Sequence, residues 1–229
     1  MYKILVQERQ AFSVSDDDIG CAKDIEVEIK TKDDIPIQRT PYRLDVQKAE
    51  ALEQEIEKLR RLGVIRPSFS AYSAPVVFLP KKDKNSWRIC IDYRALNSML
   101  EDTVYPMTNL KDITDKLAYK RYYTTMDCNH GYYNFKLKES DQKKTAFSTR
   151  SGHYMWTRLP QGIKPGPNVF QRYMSQKVLE GMSVEEVNVY LDDIIMYSNT
   201  FGEHLKVIQT VLSKIKASGM KLKPRNCFF

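Results

Sequence analysis

The spacing of apolar residues along the chain predicts four helices. Between Asp45 and Leu62 apolar side chains recur every three or four residues, Asp45 is a suitable N-cap, and Gly63 follows as a stop. Because this spacing places the apolar residues on one face, the segment is expected to be an amphipathic helix. The same pattern predicts a short helix around Asn109–Leu117 and longer helices at Asn168–Leu179 and Phe201–Ala217.

Runs of β-branched and aromatic residues predict strands between these helices. After Pro75, the runs VVFLP and WRICIDY flank the polar stretch KKDKNS, which predicts a hairpin with a basic tip. The run RYYTTMD predicts a strand that ends on Asp127, and two further strands are predicted at Lys143–Phe147 and His153–Trp156. Strands and helices alternate without regular βαβ spacing, which favours an α+β domain with a mostly antiparallel sheet.

Composition indicates a folded protein and leaves its partner open. The chain has 229 residues, of which 42% are hydrophobic and 11% aromatic, enough for a substantial core. Its 36 Lys and Arg residues outnumber 29 Asp and Glu residues, so the formal charge is +7. A positive balance suits a polyanionic partner such as nucleic acid, but it equally suits any basic soluble enzyme.

The cysteines and the apolar runs bear on the compartment. Four cysteines are spread along the chain without a CxxC pair, and only three histidines accompany them, so neither a zinc site nor a disulfide framework is expected. The start, MYKILVQERQAF, lacks the apolar run of a signal peptide, and no run reaches membrane-spanning length. We therefore expect a protein of the cytoplasm or nucleus that is not secreted and has no membrane partner.

Two adjacent aspartates, Asp192 and Asp193, lie within the otherwise apolar stretch NVYLDDIIMY. One interpretation is a plain hairpin turn, where aspartate is common. The other is a metal site, because two carboxylates at the edge of a core repel each other unless a cation lies between them. Mg²⁺ prefers oxygen ligands, and Asp127 at the end of another predicted strand would supply a third, although a lone aspartate at a strand end is also typical of a helix N-cap or a solvated end. Together the three aspartates match a site where two metal ions clamp the oxygens of a phosphoryl transfer.

Two further segments each allow a structural and a functional interpretation. The stretch LPQGIKPGPNVFQ is either an ordinary loop before a helix, or a close backbone approach to a base or sugar with Gln161 as a hydrogen-bonding side chain. The hairpin tip at Lys81, followed by Arg88, is either a solvated turn or a clamp on a nucleoside triphosphate.

Five blocks follow one another along the chain: LEQEIEKLRRLGVIRPSFSAYSAPVVFLPKKDKNSWRICIDYRALN, MDCNHGYYNFKL, KTAFSTRSGHY, LPQGIKPGPNVFQ and VYLDDIIMYSNTFGEH. In this order they resemble the reverse transcriptase domain of long-terminal-repeat retrotransposons of the Ty3/gypsy group, which are related to retroviral polymerases. The resemblance extends from about residue 36 to the C-terminus.

The resemblance implies a fold and a catalytic set. The fold would be that of a fingers-palm polymerase, with a mostly antiparallel palm sheet packed on helices and the thumb absent. Asp127, Asp192 and Asp193 would form the catalytic carboxylates and would bind two Mg²⁺ or Mn²⁺ ions. Residues 36–125 would be mainly fingers with the start of the palm, and 126–229 mainly palm, with a fingers insertion near 140–157. Residues 1–35 precede the resemblance, and because they are charged and weakly periodic they are expected to be a leader or linker.

The resemblance also implies substrate contacts. Lys81 and Arg88 would grip the incoming triphosphate, and Tyr132 would pack under its sugar. The other implied substrate-binding residues are Gln161 and Gly162 beside the nucleotide and Tyr190 and Leu191 in the aspartate hairpin, with Leu191 touching the primer end.

The implied activity is RNA-directed DNA polymerisation, a nucleotidyl transfer that adds deoxynucleotides to a primer. The implied partners are an RNA or DNA template-primer, deoxynucleoside triphosphates and, if the chain is a fragment, the thumb, ribonuclease H and integrase domains of a Pol polyprotein. The alternative hypothesis is a truncated or domesticated remnant of a retrotransposon that binds nucleic acid without catalysis.

Overall fold

The computed structural model describes residues 1–80, 87–102 and 110–229 of the chain. Two compact units are present. Unit 1 consists of Met1–Asp24, Thr103–Asn134 and Pro167–Phe229, and unit 2 of Ile25–Asp102 and Phe135–Gly166. Within the described ranges, every helix is too short or too polar to span a lipid bilayer.

Helices and strands alternate along both units. The helices are α1 (Tyr2–Gln7), α2 (Val46–Arg61), α3 (Arg94–Met99), α4 (Leu110–Leu117), α5 (Glu139–Gln142), α6 (Gly166–Tyr173) and α7 (Phe201–Ser218). The strands are β1 (Glu26–Val27), β2 (Ile65–Pro67), β3 (Val76–Pro80), β4 (Trp87–Ile91), β5 (Tyr122–Asp127), β6 (Lys136–Leu137), β7 (Phe147–Ser148), β8 (His153–Trp156), β9 (Val187–Tyr190) and β10 (Asp193–Ser198).

Unit 1 is built on a three-stranded antiparallel sheet in the order β5-β10-β9. Helix α7 packs on β10 and β5. A capping box between Thr200 and Glu203 fixes the start of α7, and Gly219, with φ +80°, ends it. The buried apolar residues of α7 recur every three or four positions, as the sequence predicts: Val207, Ile208, Val211, Leu212 and Ile215.

Unit 2 contains three small sheets. Strands β3 and β4 form an antiparallel hairpin, β2, β8 and β7 form an antiparallel sheet, and β1 pairs with β6 in parallel. Helix α2 packs against β2 and β4. At its start the Asp45 carboxylate accepts a hydrogen bond from the Lys48 backbone N–H at 2.8 Å, which confirms the predicted N-cap.

The α+β class, the mostly antiparallel sheets and the strand that ends on Asp127 are confirmed. Helices α2, α4 and α7 match the predicted helices, as far as the described residues reach. The predicted basic hairpin tip, including Lys81, lies outside the described residues.

Two predicted elements differ in the structure. The strand predicted at Lys143–Phe147 is wrong, because residues 143–145 form a 3₁₀ turn and only Phe147 and Ser148 are extended. The Thr145 hydroxyl donates to the Gln142 carbonyl at 2.7 Å and accepts the Trp156 N–H at 3.0 Å. A threonine that satisfies backbone groups locally competes with strand formation. Helix α6 begins at Gly166, earlier than predicted, and continues as a π-helical turn at Met174–Val178.

Candidate active site

Asp127 and Asp193 face each other at one end of the sheet in unit 1. Strand β10 pairs with β5 in an antiparallel register that places Asp193 opposite Asp127. Asp193 also pairs with Tyr190 of β9, so Leu191 and Asp192 alone form the hairpin turn. Three carboxylates are thereby gathered at the turn end of the sheet: one ends β5, one begins β10 and one lies at the tip between β9 and β10.

Leu191 holds the hairpin turn in a strained backbone conformation. Its φ is +56°, in the left-handed region that costs a residue with a Cβ about 1–2 kcal/mol. Two-residue hairpin turns need a positive φ because only then does the turn match the twist of the strands. Buried residues on both strands, including Val189, Ile194 and Met196, offset this strain. Asp192 is therefore carried at the tip of two well-packed strands.

The chain near Asp127 is tied to the last residues of the sequence. The Lys223 backbone N–H donates to the Asp127 carbonyl at 2.8 Å, and Thr125 and Phe228 exchange two backbone hydrogen bonds of 2.9 Å. Between these anchors the side-chain amide of Asn226 donates to Asp127 Oδ2 at 2.6 Å. Asp127 is thus held through both its main chain and its carboxylate.

Burial and neighbouring negative charge disfavour the anionic forms of Asp127 and Asp193. Burial raises the pKa of Asp127 and the charge of Asp192 acts in the same direction, whereas the hydrogen bond from Asn226 and the nearby Lys223 and His130 lower it. Burial also raises the pKa of Asp193, and the charges of Asp192 and Asp127 add to that effect. Two carboxylates whose anionic forms are disfavoured by burial and by neighbouring carboxylates would be stabilised by a cation.

The donor set fits a hard divalent cation. Among the described residues, no group of three or more His, Cys, Asp or Glu side chains already surrounds a single metal position. Mg²⁺ does not require such a cage, because it keeps several waters and is usually bound by one or two carboxylates together with substrate phosphates. The negative charge of Asp127 and Asp193 and their oxygen ligand atoms therefore fit Mg²⁺ or Mn²⁺.

Tyr132 lies on a short turn that follows the strand carrying Asp127. It belongs to the 3₁₀ helix Gly131–Asn134 and is half-buried, with its ring edge-on to Phe170 at a centroid distance of 6.1 Å. Burial raises the pKa of its hydroxyl, and the charge of Asp192 adds to the effect. A Cβ on Gly131 would lie 3.3 Å from the Phe170 ring and 3.5 Å from Asp192 Cβ. Glycine there lets the turn pack closely against both residues.

The N-terminal segment is packed into the unit that carries the aspartates. The Asn129 side chain donates to the Asp18 carbonyl at 3.0 Å, and His130 Nε2 lies 3.0 Å from the Asp16 carbonyl. The Cys21 N–H donates to the Gly219 carbonyl at 2.8 Å. The sequence predicts a leader or linker at residues 1–35, and in the structure the backbone carbonyls of Asp16 and Asp18 contact the loop that follows Asp127.

Unit 2 contains three further sequence-predicted site residues, Arg88, Gln161 and Gly162. Arg88 is exposed on β4, opposite Leu79 of β3. Gln161 and Gly162 are exposed in a loop, and Gly162 has φ +92°, a conformation that favours glycine. Asn97 holds this loop from both sides, since its amide donates to the Gly162 carbonyl at 2.8 Å and its carbonyl oxygen accepts the N–H of residue 164 at 2.8 Å.

Unit 2 also contains a basic cavity of about 350 Å³. Leu44, Leu52 and Val76 line its apolar part, and Arg43 and Arg150 also border it. Both arginines are exposed. The cavity combines apolar surface with positive charge.

Sequence reasoning missed two asparagines that hold candidate site residues. Asn226 binds Asp127, and Asn97 binds the loop of Gly162. No signal in the sequence singles them out, because asparagine is common in turns and at helix ends and each partner is distant along the chain. Only the folded geometry reveals these contacts.

Residues 79–229 match the family described as "Reverse transcriptase (RNA-dependent DNA polymerase)". The Pol polyprotein of transposon 297 from Drosophila melanogaster is 36% identical over 205 residues, which cover 88% of this chain and 19% of that protein. The Pol polyprotein of transposon gypsy from the same organism is 29% identical over 98% of this chain and 22% of its own length. The chain spans about a fifth of the length of these relatives.

A solved structure has the same fold. The foamy viral protease-reverse transcriptase, determined in complex with an RNA/DNA hybrid, superposes with a TM-score of 0.88 at 25% identity. The match covers 98% of this chain and 30% of that protein. The predicted polymerase fold and the resemblance to retrotransposon Pol proteins are confirmed.

Proposed function

Because the chain belongs to the reverse transcriptase family, we propose that it is an RNA-directed DNA polymerase module that adds deoxynucleotides to a primer. The observation that carries the proposal is the facing pair of Asp127 and Asp193, with Asp192 at the adjoining tip. Three oxygen-donor side chains at one strand end suit two divalent cations, the arrangement that supports phosphoryl transfer.

Asp127, Asp192 and Asp193 would hold two Mg²⁺ or Mn²⁺ ions. When bound, the ions supply stabilisation of the charge on the attacking and leaving oxygens. The chain itself orients the ligands: the register of β5 and β10 sets the spacing of two carboxylates, and the strained turn at Leu191 fixes the third. Divalent cations would offset the negative charge of Asp127 and Asp193.

Other residues would bind the nucleotide and the primer. The half-buried ring of Tyr132 would lie under the sugar, and the charge of Asp192 raises the pKa of its hydroxyl. Tyr190 and Leu191 flank the aspartate tip, where Leu191 would touch the primer end. The family resemblance further implies that Arg88 and Lys81 would bind a triphosphate and that Gln161 and Gly162 would border a base; Lys81 lies outside the described residues.

The partners proposed for this chain are an RNA or DNA template-primer, deoxynucleoside triphosphates and the remaining domains of a Pol polyprotein. The formal charge of +7 and the arginines of the unit 2 cavity support a nucleic-acid partner. All four cysteines are free, which supports a reducing compartment, cytoplasm or nucleus.

Primer extension on an RNA template tests the proposal directly. The full chain is mixed with a DNA primer annealed to RNA, deoxynucleotides and Mg²⁺ or Mn²⁺, and the products are resolved on a gel. We expect metal-dependent addition of nucleotides. Salt-dependent binding of the template-primer without any addition in either metal would instead support the non-catalytic, nucleic-acid-binding alternative.

A further inference from the structure

We propose that Asn226 is a positioning residue for Asp127, fixing the orientation of a carboxylate that would bind a divalent cation. The inference rests on the proposed metal site and adds a residue to it that lies 99 positions from Asp127 in the sequence. Asn226 would act through Asp127 and would not itself touch metal or substrate.

The contact is short and engages one carboxylate oxygen. The Asn226 side-chain amide donates to Asp127 Oδ2 at 2.6 Å, and a hydrogen bond to an ionised carboxylate is stronger than one between neutral groups. A donor on one oxygen restricts rotation of the carboxylate and leaves the other oxygen available. Groups that orient metal ligands in this way commonly control metal affinity.

The main chain delivers Asn226 to this position. Pro224 begins a 3₁₀ turn that ends at Asn226, and its ring fixes φ at the start of that turn. On one side of the turn the Lys223 N–H donates to the Asp127 carbonyl at 2.8 Å, and on the other Phe228 and Thr125 exchange backbone hydrogen bonds. The segment is anchored to β5 twice, so the amide needs little reorganisation to reach the carboxylate.

The backbone hydrogen bonds hold the segment in place without help from the Asn226 side chain. Asn226 is exposed and the backbone hydrogen bonds do not need its side chain. Removing the amide should therefore change stability little, since substitutions at exposed sites usually have small effects. The carboxylate of Asp127, by contrast, loses the side-chain donor that restrains it.

Three variants of the full chain test the proposal. Asn226→Leu keeps the branched shape and removes the donor, Asn226→Gln retains an amide donor, and Asn199→Leu makes the same chemical change at the exposed residue beyond the other end of β10. Mn²⁺ affinity is measured by electron paramagnetic resonance, the Mg²⁺ dependence of kcat and KM by primer extension, and folding by the melting temperature.

We expect Asn226→Leu to weaken Mn²⁺ binding about 10-fold and to raise the Mg²⁺ concentration needed for half-maximal extension. KM for the template-primer should not change. Asn226→Gln should recover most of the affinity, and Asn199→Leu should match the wild type. All three variants should melt within about 2 °C of the wild type.

Wild-type Mn²⁺ affinity in Asn226→Leu, or equal loss in the Leu and Gln variants, would overturn the role of Asn226. A loss accompanied by a matching fall in melting temperature would also overturn it, because the residue would then be structural. If the wild type neither binds Mn²⁺ nor extends primers, the proposed function fails as well. A metal-binding wild type with an unaffected Leu variant refutes the positioning role alone.

Discussion

Asp193, the first residue of β10, lies opposite Asp127, the last residue of β5, at one end of the sheet in unit 1. Burial raises the pKa of both carboxyl groups. The charge of Asp192 raises both pKa values further, and the charge of Asp127 also raises the pKa of Asp193. The fold therefore brings carboxylates that repel one another to the place where the proposed metal ions would bind.

The repulsion predicts a pH-dependent stability in the absence of metal. The pKa of Asp193 in the folded chain lies above its ordinary value of 3.8 because of burial and the neighbouring aspartates. Stability present below the ordinary value is therefore lost as the pH rises through the folded-state pKa. In EDTA, Asp193→Asn should be more stable than the wild type at about pH 7, and the difference should vanish near pH 3.

Urea unfolding at the two pH values measures this difference. Added Mg²⁺ or Mn²⁺ should stabilise the wild type more than the variant at neutral pH. A variant that is no more stable than the wild type at neutral pH in EDTA would show that the ionised Asp193 carboxylate does not destabilise the folded wild type.

A buried histidine under the sheet predicts a second, opposite pH effect. His204 of α7 lies 2.9 Å from the Thr124 hydroxyl and 3.2 Å from the Ser198 hydroxyl, and burial lowers its pKa below 6.5. The unfolded chain then binds the proton more readily, so stability present above pH 6.5 is lost as the pH falls through the folded-state pKa. The gap in unfolding free energy between wild type and His204→Gln should shrink between about pH 7 and pH 5; a constant gap would mean that His204 does not titrate differently on folding.

Two glycines predict opposite effects of the same substitution. A Cβ on Gly20 would lie 2.7 Å from the Gly219 carbonyl oxygen and 2.8 Å from the Lys221 nitrogen, whereas a Cβ on Gly202 would meet nothing within 4 Å. Gly20→Ala should therefore lower the free energy of unfolding by about 1–3 kcal/mol. Gly202→Ala, in helix α7, should raise it by about 0.5–1 kcal/mol.

Chemical denaturation of both variants compares these values. Since the N-terminal segment contacts the loop after Asp127, Gly20→Ala should also weaken Mn²⁺ binding, and Gly202→Ala should not. Equal stability of Gly20→Ala and wild type would contradict the close packing of the N-terminal segment against residues 219–221.

The proposed position of Tyr132 under the nucleotide sugar predicts a preference for deoxyribonucleotides over ribonucleotides. A flat ring under the nucleotide would collide with a ribose 2′-hydroxyl and pack well against deoxyribose, so selectivity would come from a clash. Tyr132→Ala should therefore admit ribonucleotides while the protein stays folded. If the ring served only the core against Phe170, the same truncation would cost about 3–5 kcal/mol and mainly lower the melting temperature.

Single-nucleotide incorporation of matched deoxy- and ribonucleotides by wild type and Tyr132→Ala separates the two roles. The melting temperature of the variant serves as the control. An unchanged preference in a well-folded variant would remove Tyr132 from the nucleotide site.

The parts of the site that follow from local pattern were predictable. Asp127, Asp192 and Asp193 stand out because carboxylates interrupt or end strongly apolar strands, and those strands form as the alternation of residues indicates. The turn at Thr145 was not predictable, because its side-chain hydrogen bonds override the strand propensity of its neighbours. Asn226 is exposed in a turn, and nothing in its sequence surroundings indicates a partner 99 residues away.

The N-terminal segment illustrates the same limit. Its contacts with Asn129, His130 and Gly219 run mainly through its own backbone carbonyl and N–H groups. Backbone contacts place almost no constraint on side-chain type, apart from the glycine at position 20. A charged, weakly periodic sequence therefore looked like a linker, although it packs beside the aspartate cluster.

Titration of Mn²⁺ into wild type and Asp192→Asn, with and without a deoxynucleoside triphosphate, tests most directly whether the three aspartates form the metal site. We expect weak binding to the wild type alone and tighter binding when nucleotide phosphates complete the ligand set. Asp192→Asn should fold normally and lose most of this binding, because the tip carboxylate is replaced by a neutral amide. If Asp192→Asn bound Mn²⁺ as tightly as the wild type with nucleotide present, the assignment of Asp127, Asp192 and Asp193 as the metal ligands would be wrong.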